Sequence, residues 1–421
     1  MTPWNTQTLR VRGPPTPDNP LFCSPVPDLR AVGGSAADIE SARQLTDSSQ
    51  KKRNTYREAG VDYAALDAGK RLALDKALST SALMEAMGGS AVDRSRGEPA
   101  FVFGYEGAKF GLVLEGLGTK SIVAQDYLTE TGRDWFDAVA YDAVAAIVND
   151  LICVGALPMV VNAYFASGSG DWYADQDRYA SLLEGWRKAC EDAECVWGGG
   201  ESPSLPGLVS GEYIELAGCA FGVIPPSIEP ILGQELAPGN DIVLVASSGL
   251  HANGASLARH IATRLPEGWS TPLPEASNRD FGEGILAASI SYVPLVRRLL
   301  GDGLPVTYIS HITGHGLLKL MRPSLDCTYR LHDLPPVPPV LSFLAEQSEM
   351  DAHAAYSTLN MGSGLAVYCA SDSGKDVVSA AEGLGLQAIV AGKIEAGPRQ
   401  VILEPVGVEF EGDELRLAPG G

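Results

Sequence analysis

The longest amphipathic pattern in the chain runs over residues 134–157 and predicts one long helix. Gly155 and Pro158 indicate where this helix ends and the chain turns. An apolar run typical of a strand follows at Met159–Phe165. Strand-like and helix-like runs are mixed in both halves of the chain. This order favours an α+β or mixed α/β fold over a doubly wound parallel sheet.

Prolines divide the chain into an arm and two globular parts. Residues 1–53 contain a proline-rich stretch followed by a polar one, so we expect a flexible N-terminal arm, with a lid or a partner-docking arm as the alternative. A cluster of prolines at 225–230 marks a linker. We therefore predict an N-terminal domain at 54–228 and a C-terminal domain at 229–421.

The composition excludes several classes of partner. The chain has 52 acidic and 31 basic residues, a net charge of −21, whereas nucleic acids and anionic membranes are bound by clustered cations. No apolar run reaches the ~18 residues of a membrane helix, and the N-terminus lacks the pattern of a secretory signal. The 7 cysteines form no CxxC pair, which is typical of reduced thiols. We expect a cytoplasmic protein with no nucleic-acid or membrane partner.

Residues 115–120 read EGLGTK and follow an apolar run that begins at Phe110. Glycines let backbone N–H groups approach phosphate oxygens, Lys120 supplies positive charge, and Glu115 can hold Mg²⁺. The alternative is a strand-to-loop turn with a surface lysine. We expect β-rich structure over 110–127. Because no GxxxxGK[ST], GxGxxG, HExxH or GxSxG motif is present, any nucleotide would be bound in a less common way.

Four further polar segments follow this motif. Asp150 lies in an apolar part of the predicted helix, where a buried carboxylate must be paired, metal-bound or protonated unless it faces solvent. Glu201 follows three glycines, which indicates a loop held tightly against a ligand, or a simple turn. His251 stands at the mouth of a predicted helix, where it is functional or structural. The segment 311–316 has two histidines and no third nitrogen or sulfur ligand, so a polar loop at a cleft fits better than structural zinc.

Seven segments, taken in order, resemble the aminoimidazole ribonucleotide synthetase family, the phosphoribosylformylglycinamidine cyclo-ligases. They are YREAGVD at 56–62, EGLGTK at 115–120, VNDLICVGALP at 148–158, GGES at 199–202, SSGLHANGASL at 247–257, ITGHG at 312–316 and NMGSG at 360–364. The resemblance covers roughly 56–404. Related ATP-using enzymes share this architecture, so the motifs are more specific for the fold than for the substrate.

The chain departs from the family pattern at three site positions. Glu115 stands where the family usually has Asp, Ala163 where it often has Asp, and His315 where it has Gly. These departures indicate a divergent branch. They leave open a paralogue that uses ATP to phosphorylate a different amide, formamide or carboxylate oxygen. A catalytically weak binding protein on the same fold is the third hypothesis.

The resemblance implies a two-domain fold in which the N-terminal sheets of two subunits pair into a barrel-like homodimer core. It implies an ATP-dependent ligase of de novo purine biosynthesis that closes the imidazole ring of formylglycinamidine ribonucleotide. The implied cofactors are ATP and Mg²⁺, with K⁺ as a further candidate. The resemblance further implies a small nucleotide-like substrate and an active site in the cleft between the domains. It makes 54–228 the ATP- and metal-binding domain and 229–421 the domain that completes the substrate cleft.

The resemblance also assigns residues to this site. The implied ATP-binding residues are Glu115, Gly116, Gly118, Thr119, Lys120, Asn149, Asp150, Gly199, Gly200 and Glu201. The implied metal ligands are Glu115, Asp150 and Glu201. The implied substrate-binding residues are Ser247, Ser248, His251, Asn253, Gly254, Thr313, Gly314 and His315. The implied catalytic residues are Asp150, Lys120 and His251, the last as an acid or base because an unperturbed imidazole titrates near neutrality.

Overall fold

The computed structural model describes residues 72–274, 279–323 and 325–415. All of them belong to one compact unit, Arg53–Gly421. The predicted arm at 1–53 and the YREAGVD segment lie outside the described residues. No helix in the described part of the chain is long and apolar enough to cross a membrane.

The first half forms a six-stranded sheet in the order β1-β2-β3-β6-β4-β5. Its strands are β1 Gly89–Val92, β2 Phe101–Tyr105, β3 Ala108–Gly116, β4 Leu157–Ser167, β5 Val196–Glu201 and β6 Ile214–Ile224. Neighbouring strands are antiparallel except β4 and β5, which are parallel. The helices of this half are α1 at 72–78, α2 Ala82–Ala86, α3 Lys120–Thr131, α4 Phe136–Ile152, α5 Asp171–Ala174 and α6 Gln176–Asp192.

Among the residues that the structure describes, the long helices of this half pack on one face of the first sheet. Helix α4 packs against β3, β4 and β6, and α6 packs against α4. Strand glycines permit this close approach, since a Cβ atom at Gly111 would lie 2.6 Å from the Cβ of Ala156, and one at Gly218 would lie 2.8 Å from Cδ1 of Ile147. The opposite face carries a row of exposed apolar side chains, namely Leu112, Leu114, Met159, Tyr164 and Val196.

The second half forms a seven-stranded sheet in the order β13-β12-β9-β11-β7-β10-β8. Its strands are β7 Asp241–Ala246, β8 Val306–His311, β9 Cys327–Leu331, β10 Ser363–Cys369, β11 Ala388–Ala396, β12 Gln400–Leu403 and β13 Val408–Glu411. Its helices are α7 Ala255–Ala262, α8 Phe281–Leu286, α9 Val293–Gly301, α10 Pro339–Gln347, α11 Ala352–Tyr356 and α12 Gly374–Glu382. Short 3₁₀ helices lie at Asp93–Ser95, Gly268–Ser270, Gly316–Met321 and Glu404–Val406. Two mixed sheets with helices between their strands agree with the predicted fold class.

Three local predictions need correction. The long helix α4 ends at Ile152 rather than near Gly155, because the chain turns where Gly155 adopts a φ of +79°. The β-rich stretch expected over 110–127 ends at Gly116, and a helix begins at Lys120. The glycines before Glu201 belong to strand β5 rather than to a loop, and they bring its backbone close to β4.

The connection between the two sheets spans residues 225–240 and contains the proline cluster. The boundary at 228 stays a prediction, because the described part of the chain forms one compact unit.

Candidate active site

The EGLGTK segment joins the end of β3 to the start of α3. Gly118 has a φ of +73°, which a residue without a Cβ atom adopts at little cost. The backbone N–H of Gly118 donates a hydrogen bond to Oε1 of Glu215 at 3.4 Å. The Thr119 hydroxyl lies 2.8 Å from the hydroxyl of Ser256 in the second half of the chain. The glycine loop therefore meets the start of α7, but one of its amides faces a carboxylate.

Lys120 does not lie at the surface. Its Nζ atom is 2.5 Å from Oδ2 of Asp142, and both side chains are 0% exposed. Nζ also donates to the carbonyl of Ala287 at 3.2 Å, while Oδ1 of Asp142 accepts from the N–H of Ser289 at 2.6 Å. Burial raises the pKa of Asp142, and Lys120 opposes that shift. The predicted role of Lys120 as a phosphate ligand and catalytic residue does not fit this buried ion pair, which ties α3 and α4 to residues 287–289.

Asn149 has a similar connecting role. Its Nδ2 donates to the carbonyl of Ile290 at 2.8 Å, and its Oδ1 accepts from the N–H of Tyr292 at 2.9 Å. The side chain is buried. Both of its polar atoms are therefore bonded to backbone, and the predicted contact of Asn149 with ATP does not fit this arrangement.

Asn360 fixes the SSGLH segment from the other side. Its Nδ2 donates to the carbonyls of Gly249 at 2.8 Å and Leu250 at 3.1 Å. Its Oδ1 accepts from the Ser247 hydroxyl at 2.9 Å and from the N–H of Gly362 at 3.0 Å. The NMGSG motif is thus the support of the predicted substrate loop. Ser247 faces that support, whereas Ser248 donates to the carbonyl of Ala288 at 2.6 Å.

His251 is buried and has a left-handed φ of +59°. Its Nε2 accepts a hydrogen bond from the N–H of Ser248 at 3.2 Å, and its Nδ1 has no partner among the described residues. Burial, with the charges of His311 and Lys120 acting in the same direction, lowers the pKa of His251 to about 3. The ring is therefore neutral at physiological pH with its proton on Nδ1. The predicted acid–base role assumed a near-neutral pKa, which this buried ring does not have, and a role as a neutral hydrogen-bond donor is compatible with this geometry.

Asp150 belongs to a polar cluster that joins the end of α4 to β8. Its Oδ1 is 2.7 Å from Nδ1 of His311. Burial alone would raise the pKa of Asp150, but the hydrogen bond and charge of His311, together with Lys319 and Arg322, outweigh it and lower that pKa. Asp150 is therefore an anion held in place by a histidine.

Lys319 lies beside this carboxylate. Its ammonium donates to the carbonyl of His311 at 3.3 Å and to the hydroxyl of Thr313. Burial lowers the pKa of Lys319 to about 8, with Arg322 acting in the same direction and Asp150 opposing both. The ITGHG loop therefore has a cation beneath it.

The three predicted metal carboxylates are not brought together. Glu115 pairs with Gly218 of β6, on the helix-covered side where Asp150 also lies. Glu201 pairs with Tyr164, whose side chain lies on the exposed face. Strands β3 and β5 are three spacings apart, roughly 14 Å. In the described ranges no group of three or more His, Cys, Asp or Glu side chains could hold a metal ion.

The remaining predicted site residues also lie in separate places, some on β5 and others near the EGLGTK loop or in the second half of the chain. Gly199 and Gly200 lie with Glu201 on β5, away from the EGLGTK loop. Asn253 is exposed at the start of α7, and Gly254 is the N-cap residue of that helix with a φ of +106°. Gly116 ends β3 beside Glu215. In the ITGHG loop, Thr313 and Gly314 are partly exposed, and His315 adopts a left-handed φ of +74°.

The sequence reasoning missed Asp142, His311, Lys319 and Asn360 as site-forming side chains. Asn360 and His311 stand within segments that it singled out, so the signal was present. Lys319 follows the ITGHG motif by three residues, in a run that shows only apolar helix-like spacing. Asp142 is one of several acidic residues on the predicted helix. The partners of Lys319 and Asp142 can be identified only from the folded structure.

Comparison with known proteins gives a consistent result over both halves. The model of the AIR synthase related protein, N-terminal domain, matches residues 99–224, and the C-terminal domain model matches residues 237–403. A phosphoribosylformylglycinamidine cyclo-ligase of Trichlorobacter lovleyi is 33% identical over 359 residues, which is 82% of this chain and 96% of that protein. The one of Alkaliphilus oremlandii is 29% identical over 360 residues, covering 83% and 99%.

Solved structures support the fold. The crystal structure of E. coli HypE, a hydrogenase maturation protein, aligns with a TM-score of 0.51 at 17% identity, covering 74% of this chain and 86% of that one. A structure of HypE in complex with ATP aligns with a TM-score of 0.50 at 17% identity, covering 71% and 83%. At such identities the similarity shows the shared fold alone.

Proposed function

The chain belongs to the AIR synthase related family, and we propose that it is an ATP-dependent cyclo-ligase of de novo purine biosynthesis. Its substrate would be formylglycinamidine ribonucleotide, and its products aminoimidazole ribonucleotide, ADP and phosphate. The observation that carries this proposal is the 33% identity to a cyclo-ligase that extends over 96% of that relative's length. The ATP complex of HypE, which has the same fold, supports ATP as the phosphoryl donor.

The proposed reaction closes a ring at a weakly electrophilic formamide carbon. The γ-phosphoryl group of ATP moves to the formyl oxygen, so that the bond to ADP breaks and a bond to the acceptor oxygen forms. The amidine-side nitrogen then attacks the formyl carbon, and phosphate leaves with the former formyl oxygen. Such a phosphoryl transfer requires of the protein mainly positioning and charge neutralisation.

The polar side chains of the candidate site suit these two tasks. Neutral His251 can donate a hydrogen bond from Nδ1 without changing its charge, which suits an oxygen that becomes negative during the reaction. Asp150 stays ionised because His311 holds it. On this proposal Asp150 and Glu115 face the nucleotide, whereas Ser248 and Thr313 face the substrate.

Magnesium enters this proposal with the nucleotide. Glu115 and Asp150 lie on the same side of the first sheet, and Glu201 lies on the other. A resident ion held by all three carboxylates does not fit one protomer, so no step of the reaction is assigned to it. The same limit applies to K⁺.

We also propose that the protein acts as a homodimer. The exposed apolar row on the first sheet, at Leu112, Leu114, Met159, Tyr164 and Val196, is a surface of the kind that a partner covers. A second copy of this sheet is its proposed occupant. Sedimentation at micromolar concentration tests this, and Leu114→Glu should give a monomer because it places a charge at the most exposed side chain of the row.

The experiment that tests the cyclo-ligase proposal measures phosphate release from MgATP with and without formylglycinamidine ribonucleotide, together with the mass of the product. We expect substrate-dependent phosphate and the aminoimidazole product in equal amounts. Asp150→Asn should reduce the rate at least ~100-fold, because it removes the charge that His311 orients. The exposed Asp177→Asn on α6 is the matched control and should behave as wild type. ATP binding without imidazole formation would exclude this substrate.

A paralogue acting on another amide, formamide or carboxylate oxygen is the second candidate. The observation in its favour is His315, which holds a left-handed φ of +74° that glycine would adopt at lower cost. A strained imidazole in the substrate loop is a feature typical of altered specificity. If formylglycinamidine ribonucleotide fails, ATP turnover with a panel of small amides and carboxylates tests this candidate.

A further inference from the structure

Lys319 is a buried cation whose contacts are neutral. The side chain is part of the 3₁₀ helix Gly316–Met321, and the residue is 8% exposed. Its ammonium donates to the backbone carbonyl of His311 and to the hydroxyl of Thr313. The carboxylates of Asp150 and Glu115 act on the ammonium through their charges, whereas its hydrogen bonds go to neutral groups. An ammonium has three donors, so one remains for a further acceptor.

The other buried cations nearby have an anion. Lys120 contacts Asp142 at 2.5 Å, and Arg322 lies 3.6 Å from the buried carboxylate of Glu98. A buried charge with no direct ionic contact is costly, and an anion that binds to it lowers that cost. Lys319 differs from these neighbours because its direct hydrogen-bond partners are both neutral, although the nearby Asp150 and Glu115 carboxylates raise its pKa.

The position of Lys319 indicates which anion that is. Thr313, which it contacts, belongs to the loop assigned to the substrate end, and the Asp150 carboxylate held by His311 lies on the nucleotide side. The γ-phosphoryl group of ATP passes from the nucleotide side to the substrate side, so it is the group that would come close to both Asp150 and Thr313. Phosphate oxygens carry the negative charge that an ammonium requires.

We propose that Lys319 is the phosphate-binding lysine of this site and that its ammonium contacts the γ-phosphoryl group of ATP during transfer. This inference rests on the proposed use of ATP but not on the identity of the acceptor. Lys319 keeps its protons throughout; it stabilises charge while the bond to ADP breaks and the bond to the acceptor oxygen forms. It thereby takes the role that the EGLGTK motif suggested for Lys120.

Calorimetry with ADP and with a non-hydrolysable ATP analogue tests this proposal. In Lys319→Met we expect affinity for the analogue to fall about tenfold or more, since a charge-assisted contact is lost, while affinity for ADP stays within about threefold. Lys319→Arg, which keeps the charge, should retain part of the preference for the analogue. The exposed Lys375→Met on α12 is the matched control and should match wild type.

A purely structural role gives a different pattern. If Lys319 only held the ITGHG loop, Lys319→Met would weaken both nucleotides equally or leave both unchanged, and either result overturns the proposal. Should Lys319→Met fail to fold, Lys319→Gln keeps hydrogen-bond donors for His311 and Thr313 without the charge. If folded Lys319→Gln has the same ratio of analogue affinity to ADP affinity as wild type, that result also overturns the proposal.

These outcomes are distinct from failure of the cyclo-ligase proposal. That failure appears in the wild-type protein, as absence of the imidazole product. Failure of the Lys319 proposal appears as an unchanged preference for the triphosphate analogue in the Lys319 variants.

Discussion

Lys120 and Lys319 are both buried lysines, yet their direct contacts differ. Lys120 contacts the carboxylate of Asp142 at 2.5 Å, so its charge is balanced within the protein. Lys319 donates to a carbonyl and a hydroxyl, while Asp150 and Glu115 act on it through their charges. Removing one member of a buried ion pair is costly, whereas an ammonium with neutral hydrogen-bond partners has a donor left for an incoming anion. The groups that contact each lysine therefore indicate its role better than its place in the EGLGTK motif does.

The first way to break this comparison is to remove the partner of Lys120. In Asp142→Ala the ammonium stays buried without a carboxylate, and the N–H of Ser289 loses its acceptor. We expect the free energy of unfolding to fall by about 3–5 kcal/mol, measured by urea denaturation. Glu184→Ala breaks an exposed ion pair with Arg187 and serves as the control, which should not shift the midpoint. A loss below about 1 kcal/mol would mean that the pair is not desolvated.

The second prediction uses His251, whose pKa is lowered by burial first and by His311 and Lys120 after it. Its folded pKa of about 3 lies below the unfolded value of about 6.5, so the unfolded chain binds the proton first. The stability that neutral His251 contributes is therefore present above pH 6.5 and is lost as the pH falls toward 3. Between pH 6.5 and 5 the loss should be about 1–2 kcal/mol.

His251→Asn isolates this contribution from the other histidines. Asn tolerates the left-handed backbone conformation at this position. Urea midpoints between pH 5 and 7.5 should depend less on pH in the variant than in wild type. Equal pH dependence in the two proteins would show that His251 can be protonated in the folded state.

The third prediction replaces the Lys120–Asp142 pair with apolar side chains. Lys120→Met combined with Asp142→Leu removes both charges and keeps most of the volume, so the unfolding free energy should change by about 1 kcal/mol. The preference for a triphosphate analogue over ADP should stay at the wild-type value. Loss of that preference in the folded double variant would return the phosphate-binding role to Lys120.

The smallest effect is expected at His315, in the loop above Lys319. His315→Gly removes the strain of a left-handed non-glycine residue but increases the freedom of the unfolded chain, so stability should change by less than about 1 kcal/mol. Thermal denaturation checks this. Rates with a panel of acceptors show whether the imidazole selects the substrate, and an identical acceptor profile would exclude that role.

Local pattern was sufficient for much of the fold. The period of apolar residues predicted α4 and the strand after Pro158, and the seven ordered segments predicted the family that the comparisons confirm. These features depend on neighbours in sequence, because helical and strand periodicities are set within a few residues. The same pattern misjudged residues 117–127, where the glycine loop leads directly into helix α3.

The chemical state of the site was decided by tertiary structure. The EGLGTK motif contains a lysine, but only the packing of α3 against α4 places Asp142 on it. Glu115 and Glu201 both follow apolar strands, but the strand order and the pleat direct them to opposite faces of one sheet. Charge, burial and pKa depend on groups that are distant in sequence, and residue identity alone does not determine them.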